Sequence, residues 1–290
     1  MTLNTPIATP GDSGETPAVA GDTLSRMTAL LLLLAVPPIM WIGQTLLLRA
    51  AGFPARRRIG AHDLPEHLRV ANRMVTQGAI VAALVVYPLL RGESPAAYYL
   101  RLLPPGRPVW AAWHGLAVAL LFLAMIHLAW NIAGCVQFSV RQRRARIVRR
   151  LITTPFSALL GAGVEELLFR GVLLAGLLES FPRPAAVAVG AGCFAGAHYV
   201  REVKRYWTLP GHLMLGLCLC LAFVWTGSLW LPIGIHAGGI LAILAARPFV
   251  RYAGPAWVTG ASIFPFAGVV GIAALAILTA SLRPWYGVGG

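Results

Sequence analysis

The residues whose types and spacing could do chemistry stand in one stretch, GAGVEELLFRGVLLAG, residues 161–176. Two adjacent carboxylates and an arginine interrupt a run otherwise suited to lipid or a dry core. A charge at the centre of a membrane helix costs about 2.5–3.5 kcal/mol, so three left unpaired would cost about 8–10 kcal/mol. Glu166 and Arg170 are four residues apart with the acid first, the favourable pairing along a helix face. Glu165 lies about 100° around the same helix and cannot share that geometry. One carboxylate therefore has a local partner, and the other must find one across the fold. A leftover carboxylate shielded from bulk water is a candidate general base.

The groups that could meet Glu165 are histidines. His114, His127, His198, His212 and His236 all fall in apolar runs. His198 ends CFAGAHYV, and His236 sits in LPIGIHAGGI among Gly234, Gly238 and Gly239. Small residues at that spacing let helices approach closely. A glutamate and two imidazoles from three helices can thus form a polar pocket in a bundle interior. His114, His127 and His212 read as structural hydrogen-bonding groups. Cys135, Cys193, Cys218 and Cys220 form no CxxC pair and read as small buried hydrophobes.

The elements that must position these groups follow from composition. Of 290 residues 58% are hydrophobic, with a mean hydropathy of +0.72. A soluble domain is ordinarily about 45–50% apolar. Long uncharged runs without period-two alternation exclude a barrel and predict an all-α polytopic membrane protein. Eight spans are expected, near 27–50, 74–90, 109–135, 152–178, 184–200, 209–227, 229–246 and 263–282, forming a bundle with the site in its interior. Residues 1–25, rich in Thr, Pro, Gly and Ala, read as a disordered tail without the basic region of a signal peptide. Residues 26–290 read as one transmembrane domain.

The net charge of +14 rests almost wholly on arginine in short connectors. With no nucleic-acid motif, that pattern reads as topology, with anionic lipid headgroups as partners of the basic loops. The odd-numbered connectors, with Arg49, hold 17 Arg and Lys residues, against six in the even connectors and tails. The positive-inside rule places the odd connectors in the cytoplasm and both termini outside, as expected for a bacterial-type cytoplasmic (inner) membrane.

The ordered set EExxxR (Glu165, Glu166, Arg170), FxxxH (Phe194, His198) and a later His236 on separate apolar helices resembles the CAAX protease and bacteriocin-processing (Abi) family of intramembrane proteases. That family is itself related to the eukaryotic endopeptidase that trims prenylated CAAX proteins. The likeness covers about residues 150–245. It implies hydrolysis of a peptide bond in a membrane-anchored protein or peptide. Glu165 would activate a water that His198 helps to hold, and His236 would stabilise the oxyanion. Glu166 and Arg170 would brace the helix, with Arg170 also available to substrate. No metal is implied, although a His-His-Glu zinc site could be assembled from the same residues; no HExxH helix is present.

One position departs from the family pattern. A polar Asn or Asp one turn after the last histidine is expected, and here that residue is Ile240. Asn131, four residues after His127, is a candidate replacement. Ile240 also favours a competing reading, a non-enzymatic relative acting as a membrane binding or immunity protein. A proton-coupled transporter would use buried acids and histidines too, but broken helices and internal symmetry are not evident.

Overall fold

A computed structural model describes residues 19–54, 64–106, 108–140, 142–199, 206–260 and 264–287. The tail expected over 1–25 falls largely outside the described residues, as do the arginines at 56–58 and the basic residues at 201, 204 and 205. The architecture is that of an all-α polytopic membrane protein, with one two-stranded ribbon at an end of the bundle.

Each expected span falls on helix. In chain order the helices are α1 (Val19–Ala50), α2 (Glu66–Leu90), the short α3 (Pro95–Leu102) and α4 (Val109–Ile132). Next come α5 (Arg144–Glu166), a π-helical segment (Leu167–Leu174) and α6 (Ala175–Leu178), which run on without a break. Then follow α7 (Arg183–Ala197), α8 (Leu209–Thr226), α9 (Trp230–Ala246), the single turn α10 (Ala256–Thr259) and α11 (Val269–Tyr286). Among the described residues, five helical stretches are long and apolar enough to cross a bilayer by themselves: 27–50, 66–90, 109–132, 206–226 and 269–286. The apolar α9 has 17 residues and α7 has 15, so both fall short by length. The α5 helix carries arginines through its first two turns. Helix α2 starts at Glu66, well before the expected 74, because Leu68, Asn72 and Thr76 recur at four-residue spacing and are buried. Gln44 of α1 donates to Thr76 Oγ1 at 2.9 Å and fixes that pairing.

Helix α9 is the axis of the bundle. Residues Leu231–Gly238 are all buried, and α9 packs chiefly against α4 and α5. The α4–α9 contact is backbone to backbone. A Cβ at Gly234 would stand 2.1 Å from Ala112 O, one at Gly238 would meet Leu116 O at 2.7 Å, and one at Gly115 would meet Leu231 O at 2.8 Å. Contact positions rise together along both helices, so α4 and α9 run in the same direction. Close approach of this kind replaces the hydrophobic drive that lipid removes from helix association.

The strands β1 (Val136–Phe138) and β2 (Val250–Tyr252) pair antiparallel, with Gln137 opposite Arg251. They join the connector after α4 to the connector after α9. Two of the arginine-bearing connectors expected to share a side therefore share one end of the bundle.

Helix contact through glycine makes an asymmetric prediction. Gly234→Ala should lower stability by about 1–3 kcal/mol through overpacking. Gly239→Ala, which meets nothing within 4 Å, should stay within about 0.5 kcal/mol of the parent. Thermal or denaturant unfolding in detergent compares the two.

Candidate active site

Glu165 and Glu166 are the last two residues of α5, at the junction with the π-helical segment. A π turn appears most often as a local widening near functional sites. Here an outside donor accompanies it: Tyr98 of α3 gives its hydroxyl proton to Gly171 O at 2.5 Å. Nearly every side chain from Leu168 to Leu174 is buried, including Arg170.

The four-residue pairing read from the sequence is present. Arg170 Nη1 donates to Glu166 Oε1 at 3.0 Å, with both side chains fully buried. Arg170 Nη2 donates to Gly216 O of α8 at 3.1 Å, and the guanidinium carbon lies 4.5 Å from the Phe194 ring centroid of α7. A planar cation with fixed donors suits this combination of carboxylate, carbonyl and aromatic face. Glu166 Oε1 also accepts from His236 Nδ1 of α9 at 2.7 Å. One ion pair thus ties α5 and its π extension to α7, α8 and α9.

The two glutamates differ in exposure. Glu166 is sealed, whereas the Glu165 side chain is 39% exposed. His236 lies between them. Its Nδ1 is committed to Glu166, and its Nε2 stands 3.7 Å from Glu165 Oε2. The spacing around α5 explains this division: adjacent residues face directions about 100° apart, and one imidazole offers two nitrogens on opposite edges. The sequence offers Glu165 as the partner of His236, and the structure gives the shorter contact to Glu166.

His198 stands at the C-terminal cap of α7. Its Nδ1 donates to Phe194 O at 2.8 Å, which leaves Nε2 as the acceptor. Glu165 and His236 are both electrostatic neighbours of this ring. Phe194 is the hub between these groups. Its ring centroid lies 4.7 Å from that of His198, 5.9 Å from that of His236 and 5.2 Å from that of Phe169. His198 and His236 therefore meet the same buried aromatic ring, and Glu165 stands beside His236.

Asn131 is not brought to this group. Its Nδ2 donates to Val136 O at 2.9 Å and ties the end of α4 to β1. Because α4 and α9 run in the same direction, and Gly238 meets Leu116 and Ala119, Asn131 lies 12 residues beyond that contact, about 18 Å along the helix. The expected replacement for the polar group absent at Ile240 is corrected on that ground.

His212, set aside in the sequence reading, lies against the site. Its ring centroid is 4.6 Å from that of His198. Its Nδ1 contacts Thr208 O at 3.0 Å and the Tyr199 hydroxyl at 3.2 Å, while its buried Nε2 has no partner among the described residues. The only sequence signal is a histidine inside an apolar run, and nothing in its spacing from His198 announces the ring contact. Among the described residues no group of three or more His, Cys, Asp and Glu side chains is arranged to hold a metal ion.

Residues 147–242 match the family model described as type II CAAX prenyl endopeptidase Rce1-like. The match covers about a third of the chain, runs from α5 into α9, and includes Glu165, Glu166, Arg170, Phe194, His198 and His236. It is consistent with the CAAX protease family that the motifs resemble. No curated protein and no solved structure matches the chain.

The buried pair carries a stability prediction. Arg170→Met strands the Glu166 carboxylate and should cost about 3–5 kcal/mol, whereas Glu166→Gln combined with Arg170→Met should recover part of that loss. A double-mutant cycle by unfolding in detergent reads both numbers.

Proposed function

We propose that this chain is an intramembrane endopeptidase of the CAAX type, cleaving a peptide bond in a membrane-anchored protein or peptide. The observation that carries the reading is a half-exposed Glu165 beside His236 Nε2 and His198, in a bundle whose core is mainly apolar. The family match over these same helices supports it.

In this mechanism Glu165 takes a proton from a water whose oxygen attacks the scissile carbonyl carbon. His198, held by Phe194 O, presents Nε2 as an acceptor for the other proton of that water. As an imidazolium, His236 donates from both nitrogens, Nδ1–H to Glu166 and Nε2–H to the developing oxyanion. Glu165, Glu166, Arg170 and that imidazolium sum to zero charge, which makes the cluster tolerable away from water. The tetrahedral intermediate collapses as the C–N bond breaks, and the leaving amine takes the proton from Glu165. The products are a new carboxylate and a free amine. No step requires a metal.

The substrate would reach the site within the membrane plane or from the end that carries the basic connectors. By the positive-inside rule that end faces the cytoplasm. A second reading has one observation behind it. Ile240, one turn after His236 on α9, supplies no polar group, as a non-enzymatic membrane-binding relative would tolerate.

Comparative membrane proteomics of the parent and Glu165→Gln separates the two readings. At least one cleavage product should disappear, with turnover of its precursor down about 10²–10⁴-fold and unfolding unchanged. An identical set of membrane proteins, together with a retained binding phenotype, would leave the non-enzymatic reading standing. Cleavage by purified protein should also survive exhaustive chelation, and loss restored by zinc would assign the chemistry to a metal.

A further inference from the structure

The end of the bundle distant from Glu165 holds a polar cavity, of about 340 Å³, that the proposed chemistry does not use. Its polar lining is His127 from α4, Gln142 from the turn before α5, Arg247 following α9 and Tyr252 of β2, with Ile243 and Val250 as an apolar wall. Arg247 follows His236 by 11 residues, about 16 Å along the α9 axis. The cavity exists because β1 pairs with β2: the pairing draws two connectors together over the ends of α4 and α9.

The chemistry of the lining has one sign. No Asp or Glu occurs between residues 94 and 164 or after residue 202, so every segment that builds the cavity is free of acids. Arg247 is exposed, and no carboxylate among the described residues pairs with it. Arg251 on β2 and Arg143, Arg144 and Arg146 at the start of α5 add positive charge at the same end. Tyr252 donates to His127 Nε2 at 2.9 Å, while His127 Nδ1 donates to Leu123 O at 2.7 Å. Burial pushes the Tyr252 phenol up to about 12, so it remains a donor at any working pH. Gln142 Oε1 is buried with no partner among the described residues, which leaves an acceptor waiting for a hydroxyl or N–H. Phe138 and Val140, 53% and 73% exposed, flank the ribbon with apolar surface suited to the headgroup boundary.

We propose that this cavity binds a glycerol phosphate ester, with the phosphate on Arg247 and a glycerol hydroxyl on Gln142 Oε1. A guanidinium fork matches two phosphate oxygens, and a volume of this size lies in the range of small-ligand sites. The source can be the headgroup of an anionic glycerophospholipid or a soluble glycerol phosphate. The site is independent of the protease reading, since none of its residues belongs to the Glu165 cluster.

The test uses the purified full-length chain in neutral detergent, titrated with short-chain phosphatidylglycerol, short-chain phosphatidylcholine and glycerol 3-phosphate. Thermal unfolding and native mass spectrometry follow binding. Phosphatidylglycerol should bind saturably and raise the unfolding temperature, while phosphatidylcholine should not. Arg247→Gln should weaken binding about 10- to 100-fold, as the loss of a charge-assisted hydrogen bond implies. Gln142→Leu should weaken it less, and Arg183→Gln, outside the cavity, should leave it unchanged. Glycerol 3-phosphate competing at the same site would assign it to phosphate esters in general, and failure to compete would assign it to the lipid. Equal binding of both lipids would overturn the proposal. So would binding of phosphatidylglycerol that ignores Arg247 and Gln142 but vanishes on replacing Arg143, Arg144 and Arg146, since that is diffuse surface attraction. Glu165→Gln should bind as the parent does, so this result stands or falls apart from the cleavage assay.

Discussion

Arg170 is a fully buried cation in a bundle whose surroundings are hydrocarbon, and groups from three helices converge on it. The Glu166 carboxylate, the Gly216 carbonyl and the Phe194 ring approach it from α5, α8 and α7. His236 of α9 then gives the same Glu166 oxygen a second donor, and Glu166 Oε2 has no partner among the described residues. In lipid, apolar side chains give little net preference for one helix arrangement over another, because the tails are as apolar as leucine. An ion cluster with directional partners supplies that preference. Its net stabilisation is modest once desolvation is counted, but any arrangement that leaves a partner out carries an uncompensated charge. The cluster acts on geometry more than on total stability.

The asymmetry of the two glutamates follows from the same constraint. Glu166 is consumed by holding the helices together, so its neighbour is relieved of structural duty and stays half exposed. The π-helical segment begins directly after them, where Tyr98 takes up the Gly171 carbonyl. His236 serves both residues, one nitrogen to each, and so mechanically links the structural carboxylate to the open one. Phe194 has a comparable double position: its ring lies under the guanidinium and beside two imidazoles, and its carbonyl orients one of them.

The glycine contacts of α4 with α9 and the β1–β2 ribbon divide the molecule along its length. Near His236 the helices are in backbone contact, and the Glu166–His236–Arg170 group is held between them. Some 16 Å away along α9, the end of the bundle is built from connectors, carries arginines and encloses a polar cavity. The two regions share α9 but no side chain, so their chemistry can be considered separately.

Much of the fold was legible in the sequence, because the signals involved are local. Uncharged apolar runs of bilayer length, proline and glycine at their ends, and an acid four residues before a base are all set by neighbours along the chain. They placed every span on helix and identified the Glu166–Arg170 pair. The helices that fall short on length or carry early arginines, α5, α7 and α9, are the ones that contribute Glu165, Glu166, His198 and His236. The tertiary structure alone decided that His236 is held first by Glu166, that the His212 ring lies against that of His198, and that Asn131 ends far from both. It also decided that the connectors bearing Gln142 and Arg247 meet in one ribbon. The physical reason is that helical periodicity fixes which way a side chain faces but not which helix it faces, and that choice depends on packing among segments distant in sequence.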